Sequence, residues 1–314
     1  MSEPIDIKIA HINKAEIINN ALNKELVYEI FARFSPESLA PFYKFQQNWV
    51  NQCYDAFKDF DTYLILMYLK QKIYVDYSDR FQYMSADAFY SQDNIAIDKI
   101  NLIQISKSLN IPKETVRRKI NYMQEKEIIY RSSKSIYLNS KALEIIKPNK
   151  TLPMISIFFE KMSIILSRES WFGRSLKRDV IEKFIRDHFT VCWEYFYRFQ
   201  IPYLTKHRVT FGDLESWNVW GCIAIVQTAG FSESLKQITS EELINSYDNY
   251  YTSMLKFKCE RGINASSISD ISTIPRATVI RKLRHLEKKG FVRRNQKLEY
   301  HLGQVKNLKG FQAN

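Results

Sequence analysis

The hydrophobic residues of this chain recur mainly at the spacing of amphipathic helices. Apolar side chains fall three or four positions apart over residues 13–74 and about 153–231, for example at Ile181, Phe184 and Ile185. The 314 residues include only 8 Gly and 8 Pro, which favours long helices over a turn-rich β fold. The more polar residues 75–100 and 232–260 predict loops or an extra helix. The pattern therefore predicts a mainly α fold.

One motif within this pattern occurs twice. It reads Ile-Pro-(Lys/Arg)-x-Thr-Val-x-Arg-Lys, at Ile111–Lys119 and again at Ile274–Lys282. At an offset of 163, Ile105–Tyr137 aligns with Ile268–Tyr300, and 12 of these 33 positions are identical. Such self-similarity is typical of a repeated structural unit.

A second match lies upstream of the motif, at an offset of 154. Phe42–Gln46 (Phe-Tyr-Lys-Phe-Gln) aligns there with Phe196–Gln200 (Phe-Tyr-Arg-Phe-Gln). Two matched blocks in the same order predict an internal duplication of a unit of about 155 residues. The segment 147–153 contains two prolines and is the best candidate for the boundary.

Each copy of the motif has the pattern of a helix-turn-helix followed by a β-hairpin. In the first copy a short helix covers Leu102–Leu109, Asn110 and Ile111 form a turn, and Pro112 opens the next helix, where a proline is tolerated. Gly290 should adopt a left-handed conformation after the second helix, whereas the first copy has Glu127 there. The predicted buried stripes are Val116, Ile120 and Met123 in the first copy and Val279, Leu283 and Leu286 in the second. The predicted hairpin strands are 128–131 with 135–138, and 291–294 with 298–302.

The remaining positions of these helices and hairpins carry side chains suited to DNA. Arginine pairs with guanine and asparagine with adenine when a helix lies in the major groove, and basic hairpins contact the backbone or the minor groove. Arg118 and Arg281 are the main candidates common to both copies. The candidate DNA-binding residues are Lys113, Thr115, Arg117, Arg118, Asn121, Arg131, Lys134, Arg276, Thr278, Arg281, Arg284, His285, Arg294 and Lys297.

The positive charge of the chain is concentrated in the two copies. The formal net charge is +12, of which residues 105–137 carry +5 and residues 268–300 carry +6. Clustered Lys and Arg residues neutralise phosphates, which is the main source of sequence-independent DNA affinity. The charge distribution therefore predicts two separate contact surfaces for double-stranded DNA.

Other kinds of chemistry have no signal in the sequence. There is no P-loop, GxSxG, HExxH or GxGxxG motif, and the five His residues share no spacing with carboxylates or cysteines. The four scattered cysteines predict reduced, mostly buried thiols. We therefore expect no enzyme, no metal and no cofactor. The apolar stretches are too short to span a bilayer, and the acidic N-terminus differs from a signal peptide, so we expect a cytoplasmic protein that does not bind membranes.

The stretch Ile274–Arg294 resembles the recognition helix, turn and first wing strand of the MarR-type winged-helix regulators, and the resemblance covers about 35 residues in each copy. It implies a sequence-specific double-stranded DNA binder that acts on transcription. Members of that family are usually homodimers of a single unit, whereas this chain carries two copies. The chain ends at Asn314, soon after the second wing, so we expect the helices that precede each winged unit to hold the two together.

The sequence thus predicts a mainly α protein with short β wings, built from two tandem winged helix-turn-helix units with pseudo-two-fold symmetry. We expect a first unit over residues 1–150, with its winged helix at about 57–140, and a second unit over 151–314, with its winged helix at about 211–305. The chain would act as a monomeric pseudo-dimer or a weak homodimer. Two alternatives are a plasmid or phage replication initiator and an interaction scaffold that does not bind DNA. Whether a small-molecule effector binds is not indicated.

Overall fold

The structure of the protein is a computed structural model. It describes residues 34–80, 82–97, 101–132, 135–145, 147–168, 174–235, 253–254 and 262–303, and it is mainly helical, as predicted. The helices are α1 (Ser35–Phe57), α2 (Phe60–Asp79), α3 (Ala86–Tyr90), α4 (Leu102–Leu109), α5 (Lys113–Glu125), α6 (Ser140–Ile145), α7 (Thr151–Arg168), α8 (Arg178–Asp187), α9 (Phe189–Phe211), α10 (Leu214–Leu235), α11 (Ala265–Ser272) and α12 (Arg276–Lys288). The strands are β1 (Asn94–Ile97), β2 (Ile129–Ser132), β3 (Ser135–Asn139), β4 (Val292–Arg294) and β5 (Tyr300–Leu302).

The helix bounds follow the two offsets found in the sequence. The 23-residue helix α9 begins and ends 154 positions after α1, and α10 begins 154 positions after α2. The helices α11 and α12 begin and end 163 positions after α4 and α5. Corresponding stretches of the two halves therefore form corresponding helices.

The junctions between the long helices are formed alike. At the start of α2, the Asp59 carboxylate accepts a hydrogen bond from the Thr62 N–H at 2.8 Å, and at the start of α10 Asp213 accepts one from the Ser216 N–H at 2.7 Å. Such a side chain satisfies an amide that has no partner within the helix. The residue before each aspartate has a positive φ, 52° in the first half and 90° at Gly212 in the second. A left-handed residue and a capping aspartate thus turn the chain between each pair of long helices.

Both predicted helix-turn-helix segments are present, as α4 with α5 and α11 with α12. The residue that ends the first helix of each pair is left-handed, with φ of 51° and 59°. The Ser106 hydroxyl donates to the Ile111 carbonyl at 2.7 Å, and Ser269 donates to Ile274 at 2.8 Å. A hydroxyl from the first helix therefore closes each turn in the same way.

The hairpins differ between the halves. β4 and β5 form a two-stranded sheet, whereas β2 and β3 belong to a three-stranded sheet of order β1-β3-β2. In β1, Ile95 lies opposite Leu138 and Ile97 lies opposite Ile136. The expectation of loops or an extra helix over 75–100 therefore omitted a strand. A four-residue strand gives little local signal, because its stability comes from pairing with a distant partner.

The turn that follows each recognition helix also fits the sequence prediction. Gly290 has a φ of 76°, as expected for a left-handed glycine after a helix, and Glu127 has a φ of 55°. The Asn139 side-chain amide donates to the Glu127 carbonyl oxygen. This contact satisfies the backbone of a turn that has a glutamate where the second half has a glycine.

The two halves of the chain pack crosswise. α1 packs against α10 of the other half, and α9 packs against α2. Aromatic side chains of the two halves are also in contact, in ring pairs that recur with the two halves exchanged at the offset of 154. These pairs are Phe42–Phe199 at 6.4 Å with Phe45–Phe196 at 6.1 Å, and Phe42–Tyr203 at 6.1 Å with Trp49–Phe196 at 5.3 Å between ring centroids.

The segment 147–153, the predicted boundary between the halves, contains the start of a helix. α7 begins at Thr151, and Pro153 lies in its first turn. A proline is compatible with the first turn of a helix, because the amides there have no partner within the helix.

Cys53, Cys192 and Cys222 are free thiols, of which Cys192 is only partly buried, and Cys259 lies outside the described residues. Over the part of the chain that is described, every helix is too short or too polar to cross a membrane.

Lys70 of α2 is fully buried in a box of aromatic rings. Its Nζ donates to the Tyr90 hydroxyl at 2.6 Å and lies 4.8–5.6 Å from the ring centroids of Tyr74, Phe89, Tyr90 and Phe189. Burial lowers the pKa of this ammonium well below its usual value, because the rings do not replace its hydration.

Lys70→Met should stabilise the fold near neutral pH. In the unfolded chain Lys70 remains protonated up to about pH 10, whereas the folded protein favours the neutral amine. The free energy of unfolding of the wild type should therefore rise from neutral pH towards pH 10, and that of Lys70→Met should rise less. Urea unfolding at several pH values measures this. Lys72→Met, on the same helix but only partly buried, should leave the pH dependence of the free energy of unfolding unchanged. The same pH dependence in Lys70→Met as in the wild type would contradict the lowered pKa of Lys70.

Candidate nucleic-acid interface

The recognition helices α5 and α12 each bury one apolar stripe and present the opposite face to solvent. α5 packs against α2, and α12 packs against α10, so both rest on the crosswise helices. The six stripe residues are fully buried, as predicted: Val116, Ile120, Met123, Val279, Leu283 and Leu286. This burial fixes which face of each helix can meet a ligand.

Most of the candidate DNA-binding side chains are exposed. Thr115 and Thr278 are half-buried near the start of each recognition helix, and Lys134 lies outside the described residues. The other candidates are exposed: Lys113, Arg117, Arg118, Asn121, Arg131, Arg276, Arg281, Arg284, His285, Arg294 and Lys297.

The two arginines common to both copies differ in their contacts from Arg117 and Arg276. Within the described part of the chain, Arg118 and Arg281 form no ion pair or side-chain hydrogen bond. By contrast, Arg117 donates to the Glu114 carboxylate at 2.8 Å and Arg276 donates to the Ser266 hydroxyl at 3.1 Å. The guanidinium groups of Arg118 and Arg281 are therefore free to donate to phosphates or to base edges.

The lysines next to these arginines have a structural contact. Lys119 Nζ lies 2.9 Å from Asp59 Oδ2, and Lys282 Nζ lies 2.6 Å from Asp213 Oδ2. Each lysine is largely shielded and is bound to the aspartate that caps the helix beneath. Sequence reasoning missed these aspartates, although they match at the offset of 154.

The ion pairs are reflected in the titration of the two aspartates. Burial alone would raise the pKa of Asp59, but hydrogen bonds from Thr62 and Lys119 outweigh it and hold the pKa below its usual value. The pKa of Asp213 is likewise lowered, since Lys282 and the Ser216 amide outweigh burial. Both carboxylates are thus charged at neutral pH and hold the recognition helices in place.

The faces of the two recognition helices differ in charge. The first exposes Glu114 and Glu125, whereas the corresponding positions of the second are Ala277 and Lys288. The second helix therefore presents a more positive surface.

The first wing carries an aromatic pair beside its exposed arginine. Tyr130 of β2 and Tyr137 of β3 stack with ring centroids 4.6 Å apart and planes 3° from parallel. Cross-strand pairs of this kind stabilise a small sheet. They fix the strand that presents Arg131.

Within the described ranges, no group of three or more His, Cys, Asp or Glu residues could hold a metal ion. The candidate site consists of the exposed basic faces of α5 and α12.

Residues 247–304 match the family model described as "Sugar-specific transcriptional regulator TrmB". The matched stretch includes α11, α12, β4 and β5 and is less than a fifth of the chain. Comparisons with curated proteins and with solved structures give no match. The match supports a winged-helix, DNA-binding transcriptional regulator. It does not single out the MarR type and does not extend to the first copy.

Asp59→Ala should lower the free energy of unfolding by about 1 kcal/mol at neutral pH, the usual cost of losing a helix cap. Because the folded-state pKa is lowered, this contribution is present above about pH 4 and is lost as the pH falls through the folded pKa. Chemical unfolding between pH 3 and 7 measures this, with Asp93→Ala as the exposed-carboxylate control. Equal stability of Asp59→Ala and the control would contradict the role of the cap.

Proposed function

We propose that this protein is a sequence-specific, double-stranded DNA-binding transcriptional regulator whose two winged helices act as a pseudo-dimer within one chain. The observation that carries this proposal is the pair of recognition helices, α5 and α12, which bury equivalent stripes and expose unpaired Arg118 and Arg281 at equivalent positions. Helices of this kind enter the major groove through their exposed face.

The two units are proposed to have arisen by an internal duplication. Support comes from the matching helix bounds, from the ring pairs that recur with the halves exchanged, and from the equivalent ion pairs of Lys119 and Lys282. We take residues 1–150 as the first unit and 151–314 as the second. The crosswise contact between them would take the place of a homodimer interface.

DNA binding by this arrangement is mainly electrostatic in origin and is refined by base contacts. Exposed Arg and Lys side chains on both helices and both hairpins would neutralise phosphates and release counterions. The residues that differ between the copies, such as Asn121 and Arg284, would then select different bases. We therefore expect the two half-sites to be unlike and to lie about 34 Å apart, one turn of the duplex.

The name of the matched family refers to sugar-specific regulation. The matched residues contain the second winged helix, so they support DNA binding and carry no argument about a sugar. MarR-type membership and a cytoplasmic location remain proposals.

Replacing both Arg118 and Arg281 with alanine should weaken DNA binding and flatten its salt dependence. Removing one phosphate-binding side chain reduces the slope of log K against log [salt] by about one, so the double variant should show a slope smaller by about two. Fluorescence anisotropy at several salt concentrations measures this. A matched control is Lys183→Ala with Arg186→Ala, which removes two exposed charges from α8.

An unchanged slope in the Arg118→Ala, Arg281→Ala variant would contradict the proposed role of these arginines at the DNA backbone. Wild-type protein that binds a partner protein but shows no salt-dependent DNA affinity would favour the interaction scaffold instead.

Selection of bound duplexes from a random pool should yield a site with two unlike halves. The physical reason is that the exposed faces of α5 and α12 share their arginines but differ at neighbouring positions. A perfect palindrome would contradict unlike half-sites, and direct repeats beside an origin would favour the replication initiator.

A further inference from the structure

Arg208 of α9 connects the second half of the chain to the first helix-turn-helix. Its Nε and Nη2 donate to the two carboxylate oxygens of Asp61 at 2.9 and 3.2 Å, and its Nη1 donates to the Asn110 carbonyl oxygen at 2.9 Å. The guanidinium thus uses three donors on two elements of the other half. A planar, two-pronged contact of this kind fixes direction as well as distance.

The contact is shielded from solvent. The side chains of Arg208 and Asp61 are 16% and 23% exposed. Pairs that are shielded and doubly hydrogen-bonded are less weakened by salt than exposed ion pairs. Arg208 is therefore expected to remain bound at ordinary ionic strength.

The residues that Arg208 contacts lie directly beneath the first recognition helix. Asn110 ends α4, three residues before α5 begins, and Asp61 lies in the first turn of α2. Asp59, two residues before Asp61, binds Lys119 of α5. The start of α2 thus joins the recognition helix on one side to the opposite half of the chain on the other.

The second helix-turn-helix is also tied to the opposite half, but by different chemistry. Its Thr273 hydroxyl donates to Asp55 of α1 at 2.8 Å, and Asn51 of α1 donates to the Ile271 carbonyl at 2.5 Å. At the position equivalent to Arg208, α1 carries Tyr54. Each turn is therefore tethered by the long helix of the other half, in the first case by an arginine and in the second by short polar side chains.

A groove borders the arginine contact. It has a volume of about 550 Å³ and separates the end of α4 from α9, between Ser108 and Asn110 on one side and Thr205 and Val209 on the other. In the second half the equivalent pairs of positions are those joined by the hydrogen bonds of Asn51 and Asp55. The long Arg208 side chain reaches the turn where shorter side chains leave a gap.

We propose that Arg208 is a positioning residue that fixes the first recognition helix relative to the second, and so sets the half-site spacing that the protein accepts. This inference rests on the proposed function. Two linked binding modules gain affinity only when their geometry matches both sites at once. Loss of the Arg208 contact should therefore reduce the affinity gained from the second half-site. It should also let the protein accept a wider range of half-site spacings.

The position of the helices can be tested without DNA. Spin-labelled unnatural amino acids at Glu125 and Lys288, exposed residues at the ends of α5 and α12, report the distance between the two helices by pulsed electron paramagnetic resonance. Arg208→Met should broaden the distance distribution. Arg186→Met, which removes an equal charge from an exposed pair on α8, should leave it as in the wild type.

The consequence for binding is measured on the duplex selected by the wild type, on that duplex with two base pairs inserted between the half-sites, and on each half-site alone. Arg208→Met should bind the full site about tenfold more weakly, bind each half-site within about twofold of wild type, and discriminate less against the insertion. Arg208→Lys keeps the charge but cannot form the two-pronged contact with Asp61. It should discriminate against the insertion to an intermediate degree. Circular dichroism confirms folding of each variant.

The outcomes separate the two proposals. An unchanged distance distribution and unchanged spacing discrimination in Arg208→Met would overturn the positioning role while leaving DNA binding intact. A wild-type protein that binds none of the duplexes in a salt-dependent way would overturn the proposed function, although the distance measurement would still test the tether. If Arg208→Met lost affinity equally for the full site and for each half-site, Arg208 would act as a phosphate contact and not as a positioning residue. This result would also overturn the inference.

Discussion

The crosswise packing of α1 on α10 and of α9 on α2 is the contact on which the rest of the structure depends. Aromatic side chains of α1 and α2 also pack against those of α9, as in Trp49–Phe196 and Tyr74–Phe189. Such burial is a large favourable contribution to folding, about 25 cal/mol for each Å² of apolar surface. The recognition helices rest on α2 and α10, so the same packing that joins the halves also sets where the basic faces lie. A change at this interface would therefore alter both stability and the geometry of the site.

Polar contacts fix the positions of the recognition helices on this packed scaffold. The capping aspartates at the starts of α2 and α10 each hold a lysine of the recognition helix above them. Their occurrence in both halves explains why the motif keeps Arg-Lys: the arginine faces solvent and the lysine faces the scaffold. Two neighbouring basic residues thus have different tasks, which depends on the helical face that each occupies.

The two helix-turn-helix segments followed from the sequence, because the helix Leu102–Leu109 and the buried stripes at Val116 and Val279 had a clear helical spacing. The strand β1 was missed, since four residues carry little local signal without their partner strand. The capping role of Asp59 and the tether from Arg208 were also missed, because both depend on contacts between segments far apart in the chain. The outward placement of Arg118 and Arg281 was predictable, whereas the structural use of Lys119 was not.

In the proposed function, one chain presents two recognition helices to one duplex. Hydroxyl-radical footprinting of the selected site, combined with native mass spectrometry of the complex, tests this most directly. One chain bound per duplex, with two protected segments about one helical turn apart, is the predicted result. A single protected segment for each chain, or a complex that contains two chains with each covering one half of the site, would contradict it.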